Sequence, residues 1–261
     1  SAGTLTGAER IIVTCCDQAT VRAELVQKDA ATGLAILSVP LVDIAEETMD
    51  VIDIATLGSS NNSKLLGTPV MALGSPLGTS GSVCYGVVTS AGTMIDQPDS
   101  AYKSIATDIY ASRNATGVLV NLKGMVIGII DNVNTSNDMS NLLTAYGISE
   151  VKDVIEHLSN SQDLVYIGIM GADVTQETAK IRSLPAGVYV TGVEMNSPAM
   201  DAGIQQGDVI VEINGQTITG ISEIQEMLLK FSREQVIQVL VMRLGKEGYK
   251  EIPCSVTLDR L

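Results

Sequence analysis

Between residues 10 and 150 the chain passes through seven short apolar stretches with almost no helical periodicity between them, and this most narrows what it can fold into. They are "RIIVTCC" (10–16), "VRAELVQ" (21–27), "LAILSVP" (34–40), "PVMALG" (69–74), "YGVVTSA" (85–91), "GVLVNL" (117–122) and "MVIGIID" (125–131). Each is rich in β-branched residues and bounded by Gly, Asp, Asn or Ser, which marks short strands joined by turns and hence a barrel or sandwich rather than a βαβ array. The first clear helical pattern is "SEVKDVIEHLSNSQ" (149–162), where Val151, Val154, Ile155 and Leu158 recur at helical spacing and Ser149 is positioned as an N-cap.

A chain of 261 residues accommodates two medium-sized domains. Aromatic residues make up only 3%, with no Trp and the single Phe231, so the cores must be built from Val, Ile, Leu, Ala and Met, which again favours strands. The net charge of −14 repels a phosphate backbone and excludes nucleic acid as a partner. Acidic blocks such as "DIAEETMDVID" (43–53) read as solvated surface. No stretch reaches the roughly 18 to 20 apolar residues needed to span a bilayer, and no leader pattern opens the chain. Cys15, Cys16, Cys84 and Cys254 have neither metal-ligand nor disulfide spacing; they read as small buried apolar residues, with Cys15 and Cys16 on opposite faces of a strand. No metal or cofactor is expected.

The remainder is again strand-dominated: "LVYIGIMGADV" (164–174), the long stretch 187–218, and "VIQVLVMRLGKEGYKEIPCSVTL" (236–258). One helix stands out at 222–231, where Ile224, Met227, Leu228 and Phe231 form an apolar stripe that Ser222 can cap. Within "SPAMDAGIQQGDVIVEINGQTI" (197–218), Gly203 and Gly207 bracket a tight turn and Asn214-Gly215 is a strong hairpin signal. The whole string resembles the S-P-A-x-x-A-G…G-D-x-I…N-G pattern of bacterial-type PDZ domains. That resemblance implies binding of a peptide as an added strand. It places Tyr166, Ile167, Gly168, Ile169 and Met170 as the loop that receives a terminal carboxylate on backbone N–H groups, with Ile224, Met227 and Leu228 as candidate pocket residues on the flanking helix.

With such a module at the C-terminal end, the first part resembles the trypsin-like domain of the HtrA (Deg) protease family. "GSPLGTSGSVCYGVVTSAG" (74–92) and "TDIYASRNATGVLVNLKGMVIGI" (107–129) carry the likeness, the latter mirroring the family's nucleophile segment. A serine protease needs a hydroxyl nucleophile, a histidine base and an orienting carboxylate. The family's histidine position falls near Gly3 and Thr4, and the one histidine, His157, is on the helix between the two parts. Gly33 occupies the place of the catalytic aspartate, and Ala115 or Thr116 that of the serine, with Arg113 and Asn114 replacing its usual neighbours. Thr116 would need a base beside it, and neither Lys103 nor Lys123 has spacing that marks it as one. No catalytic residue is therefore expected intact. Asn114-Ala115-Thr116 and Asn134-Thr135-Ser136 also match a glycosylation triplet, which a bacterial type of sequence makes uninformative.

The expectation is a mainly β protein: a trypsin-like double β-barrel over 1–148, a linker helix over 149–163 and a PDZ domain over 164–261. The first barrel (about 1–40) should be incomplete and the second should run from about 64 to 148. The start of the chain suggests a fragment whose open first barrel, with exposed edges and apolar surface, favours self-association. The resemblance implies an extracytoplasmic pseudoprotease that binds peptides, unfolded segments or protein C-termini, held to a membrane only through an upstream anchor. An active endopeptidase with its histidine upstream, and a non-catalytic assembly partner of active homologues, are the alternatives.

Overall fold

The computed structural model describes residue 5 and residues 7–61, 64–130 and 141–260. The family histidine position near Gly3 and Thr4, the end of the 125–131 stretch and the triplet at Asn134 lie outside them. The chain divides into two compact units, residues 1–95 with 102–162, and residues 96–101 with 163–261.

In the first unit, β1 (Ile11–Thr14), β2 (Thr20–Lys28) and β3 (Ala35–Ser38) form an antiparallel sheet in that order, followed by the single-turn α1 (Glu46–Met49). This sheet is not closed among the described residues, and Ile12 and Leu25 on it are 51% and 41% exposed. Six further strands do close into a barrel: β4 (Pro69–Ser75), β5 (Ser82–Gln97), β6 (Ser100–Tyr110), β7 (Thr116–Asn121), β8 (Val126–Ile130) and β9 (Leu142–Gly147), in the order β4-β5-β6-β9-β8-β7. Val70, Ala72, Ile105, Leu119, Ile127, Leu143 and Ala145 fill its interior. Fully burying one such branched side chain is worth about 1.5–3 kcal/mol. The barrel seam between β4 and β7 passes through Gly74 opposite Gly117. A Cβ on Gly117 would sit 2.0 Å from the Leu73 carbonyl oxygen, and its φ of 133° is closed to most side chains, so the position needs glycine.

Helix α2 (Ile148–Ser159) buries Ile148, Val151, Val154 and Leu158 and packs against β2, β3, β8 and β9, while Ile155 is half-buried. Its N-cap is Gly147, not Ser149 as the sequence suggested. Ser149 instead trades bonds with Ser60: each backbone N–H donates to the other's hydroxyl oxygen at 3.0 Å. The cysteine expectation also needs correction. β1 ends at Thr14, and Cys15 and Cys16 belong to the turn closed by Cys15 N–H donating to Ala19 O at 2.8 Å. Cys16 is exposed, Cys15 and Cys84 are half-buried, and only Cys254 among the four is buried.

In the second unit β10 (Val165–Tyr166) pairs with β17 (Asp259–Arg260). The main sheet contains β11 (Ile169–Val174), β12 (Gly187–Val193), β13 (Val209–Ile213), β15 (Val236–Gly245) and β16 (Gly248–Thr257), in the order β11-β12-β13-β15-β16, with β14 (Gln216–Thr217) hairpinned to β13. The β13–β14 turn is Asn214–Gly215 with φ of 50° and 81°, the positive pair that a two-residue hairpin loop requires. Helices α3 (Gln176–Arg182), α4 (Pro198–Asp201) and α5 (Ile221–Leu228) cover the sheet, the first two capped by the Thr175 and Ser197 hydroxyls. Gly220, not Ser222, is the N-cap of α5, and the Asp173 carboxylate takes the Ile221 N–H at 2.8 Å in place of a cap side chain.

Candidate functional site

Two places carry the candidate residues, one in each unit. In the first unit, Asp29 is buried, and its carboxylate accepts the N–H groups of Ala31 and Thr32 at 3.1 and 2.9 Å as well as the Thr32 hydroxyl. It is committed to its own turn. Gly33 follows in the left-handed region at φ 68°, offering no side chain to an imidazole. His157 is half-buried on α2. Ala115, in the slot for the nucleophile, is 2% exposed and is packed into the barrel core. Thr116 is half-buried at the start of β7, opposite Ser75.

An oxyanion hole needs free N–H groups converging on one point. Three of those along residues 112–115 are engaged elsewhere: Ser112 N–H donates to Pro76 O (2.8 Å), Asn114 N–H to the Ser112 hydroxyl (3.3 Å), and Ala115 N–H to Ser112 O (2.9 Å). The flanking residues serve packing. Thr107 is fully buried with its hydroxyl on Leu143 O at 3.0 Å, and Val118, Leu119 and Val120 pair β7 with β4 and β8.

In the second unit, residues 166–170 join β10 to β11. Ile167, Gly168 and Ile169 are buried, and Tyr166 and Met170 are half-buried. Gly168 has φ 86°, and a Cβ there would lie 2.3 Å from the Ser197 Cβ, so the loop can turn back on itself only with glycine. Three successive N–H groups then point to one spot, the kind of concavity that holds an anion without a cation. They hold the carboxylate of Asp99. Ile167 donates to it at 2.7 Å, Gly168 at 2.8 and 3.1 Å, and Ile169 at 2.9 Å. Asp99 N–H in turn donates to Ile169 O at 2.8 Å. Burial, the largest influence, pushes the Asp99 carboxyl up to about 6 against these hydrogen bonds, and the nearby Glu194 pushes the same way.

Beyond this spot β11 is, among the described residues, a sheet edge, paired with β12 on one side only. Helix α5 lies along it, and the bare Gly171 lets Ile221 come close. Ile224, Met227 and Leu228 are 0%, 8% and 6% exposed and belong to the core of the unit, with Val188, Ile237 and Val256 among their companions. The sequence placed the loop by resemblance but missed Asp99, whose one local signal was the turn pair Pro98-Asp99 between Gln97 and Ser100. Among the described residues no group of three or more His, Cys, Asp or Glu converges to hold a metal, and no helix is long and apolar enough to cross a membrane.

Comparison with known proteins matches residues 2–129 to the trypsin-like peptidase domain and residues 189–240 to the PDZ domain. The second match leaves 166–170 outside, so the role of that loop rests on its geometry. Among curated relatives, a probable periplasmic serine endoprotease, DegP-like, from Halomonas elongata is 30% identical over 92% of this chain and 50% of its own length. The serine protease Do-like HtrB of Bacillus subtilis is 31% identical over 92% of this chain and 55% of its own length. The chain thus spans about half the length of the curated relatives it matches. Among solved structures, the HtrA-type protease AlgW with decapeptide aligns over all of this chain and 78% of its own, with TM-score 0.66 and 24% identity. A serine endoprotease from Yersinia pestis aligns over 98% and 81% with TM-score 0.60 and 25% identity.

Proposed function

Because the chain belongs to the HtrA (Deg) type of protein, a trypsin-like peptidase domain followed by a PDZ domain, we propose that it is a peptide-binding pseudoprotease. In this role the PDZ domain takes peptides or protein C-termini by strand addition. The observation that carries this is the juxtaposition of the β11 edge with the three converging N–H groups of Ile167, Gly168 and Ile169. An added strand would bond its backbone to the edge and leave its terminal carboxylate on the amides. Loss of proteolysis is supported by Gly33 in the aspartate place, by Ala115 buried in the nucleophile slot, and by the N–H groups of Ser112, Asn114 and Ala115, which already have partners.

The periplasmic naming of the relatives supports an extracytoplasmic location, with a role in protein quality control or its regulation. The exposed Ile12 and Leu25 support self-association, which light scattering of the purified chain measures. The test of function has two arms. The chain should leave unfolded casein intact and fail to react with a fluorophosphonate probe; labelling at Thr116 would overturn the pseudoprotease role. It should bind members of a library of peptides with free C-termini at micromolar affinity, and Ile169→Asp should abolish that binding.

A further inference from the structure

The amide loop of the second unit already holds a carboxylate. Asp99 sits in the turn between β5 and β6, within the 96–101 segment that counts with the second unit. It is 3% exposed. Its two oxygens take the N–H groups of three successive loop residues, and its own N–H donates to Ile169 O. A strand-adding peptide ending in a free carboxylate would need those same groups: the loop amides for its terminus and the first carbonyl of β11 for its last N–H. Ala101, two residues on, packs against the core of the unit. Asp99 holds this place in the left-handed region at φ 58°, uncommon for a residue with a side chain, though Asp and Asn tolerate it better than most. Among the described residues no Lys, Arg or His forms an ion pair with it; the ionisable groups coupled to it are Glu194 and Tyr166.

We propose that Asp99 is an internal ligand that closes the peptide site, so that an incoming C-terminal carboxylate must displace the 96–101 turn before it can bind. This rests on the peptide-binding role proposed above. A site whose competent form is populated only in part binds with its intrinsic affinity reduced by that fraction, and minor states typically amount to about 0.1–10%. Removing the internal carboxylate should therefore tighten peptide binding by about tenfold or more. Asp99→Asn suits the test because Asn has nearly the same shape and also tolerates the left-handed region; Asp99→Gly, which relieves the backbone entirely, is the second variant.

The probe is a pool of fluorescein-labelled decapeptides with randomised last positions and free C-termini, alongside the same pool amidated, titrated with the whole chain. Both variants are expected to bind the free-carboxylate pool at least tenfold more tightly than the parent, with the amidated pool bound weakly by all three. In parallel, backbone exchange at Ile167, Gly168 and Ile169 should be slow in the parent and at least tenfold faster in Asp99→Asn without peptide. Equal affinity of parent and variants overturns the internal-ligand proposal and leaves the peptide-binding role standing, as does unchanged exchange at the three amides. Absence of binding by parent and both variants, with exchange accelerated, overturns the peptide-binding role and the proposal with it.

Discussion

Gly168→Ala tests the geometry of the carboxylate loop directly. The substitution places a methyl group 2.3 Å from the Ser197 Cβ and 2.9 Å from its hydroxyl oxygen, at a residue whose φ is 86°. Holding an alanine in the left-handed region costs about 1–2 kcal/mol, and relieving an overlap of that size inside a packed site adds about 1–3 kcal/mol. Ser197 cannot simply move away. It is fully buried, and its hydroxyl accepts the Met200 N–H at 3.2 Å as the cap of α4. The expected loss is about 2–5 kcal/mol, confined to the second unit. For a unit of about 100 residues each kcal/mol lowers Tm by about 4–8 °C, so a scanning calorimetry trace should split, with the second-unit transition moving down by at least about 8 °C. The double variant Gly168→Ala/Ser197→Gly separates the two components. A glycine N-cap costs only a few tenths of a kcal/mol relative to serine, and it removes the Cβ that the new methyl strikes, so roughly half the stability should return. A Gly168→Ala chain within about 0.5 kcal/mol of the parent would refute this account of the loop.

Three further outcomes follow from close contacts and buried charges in the molecule. Gly117→Ala drives a Cβ to 2.0 Å from the Leu73 carbonyl across the β4–β7 seam, so barrel stability should fall by about 3 kcal/mol or more in urea unfolding, with the second unit unaffected. Asp208 is 1% exposed, accepts two bonds of 2.7 Å from Arg243 and takes the Gln205 N–H at 2.9 Å. Asp208→Ala should cost about 2–4 kcal/mol, somewhat below a fully buried pair because Arg243 keeps 29% of its side chain in solvent. The Asp99 carboxyl, raised from 3.8 to about 6, binds a proton in the folded unit that the unfolded chain releases. Its stabilising contribution is thus complete below about pH 4 and is lost as pH rises through about 6, by up to about 3 kcal/mol. The Tm of the parent minus that of Asp99→Asn should accordingly fall between pH 4 and 6.5 and then level off.

Where apolar residues alternate or cluster without interruption, strands were legible: the runs at 69–74 and 117–122 coincide with β4 and β7. β6 escaped because Lys103, Ser104, Thr107 and Asp108 break its apolar run, yet its burial alternates along the strand and Thr107 is satisfied inside by the Leu143 carbonyl. β9 was hidden in the same way, its Thr144 and Gly147 diluting Leu143, Ala145 and Tyr146. Both helix caps were assigned to the nearest serine, whereas the chain placed a glycine at each N-cap and gave the serine at Ser149 a partner 89 residues away. Local propensity cannot foresee a partner at that distance. The 166–170 loop was placed only by its resemblance to the PDZ family's loop, a glycine between two isoleucines; its occupant was not legible, since Asp99 lies 68–70 residues earlier.

In both candidate regions backbone N–H groups are already engaged, those of Ser112, Asn114 and Ala115 in one and those of Ile167, Gly168 and Ile169 in the other, but the partners differ in kind. At residues 112–115 the acceptors for Asn114 and Ala115 are two and three residues away, on Ser112 itself. Such bonds form with the loop, and releasing them means rebuilding the loop, with Ala115 also to be withdrawn from the barrel core. At Ile167 to Ile169 the acceptor is one side chain on a distant turn, held there by four contacts from three amides and a backbone bond to Ile169. In the proposed exchange a peptide's terminal carboxylate would take the bonds from the three loop amides and its last N–H the bond to Ile169 O, so no loop amide would be left unpaired at the desolvation cost of an orphaned donor, about 1–3 kcal/mol each. The N–H groups of Ser112, Asn114 and Ala115 are thus held within or beside their own loop, whereas those of Ile167, Gly168 and Ile169 are held by a side chain 68–70 residues away in sequence, which is what makes the proposed displacement a test of the second loop alone.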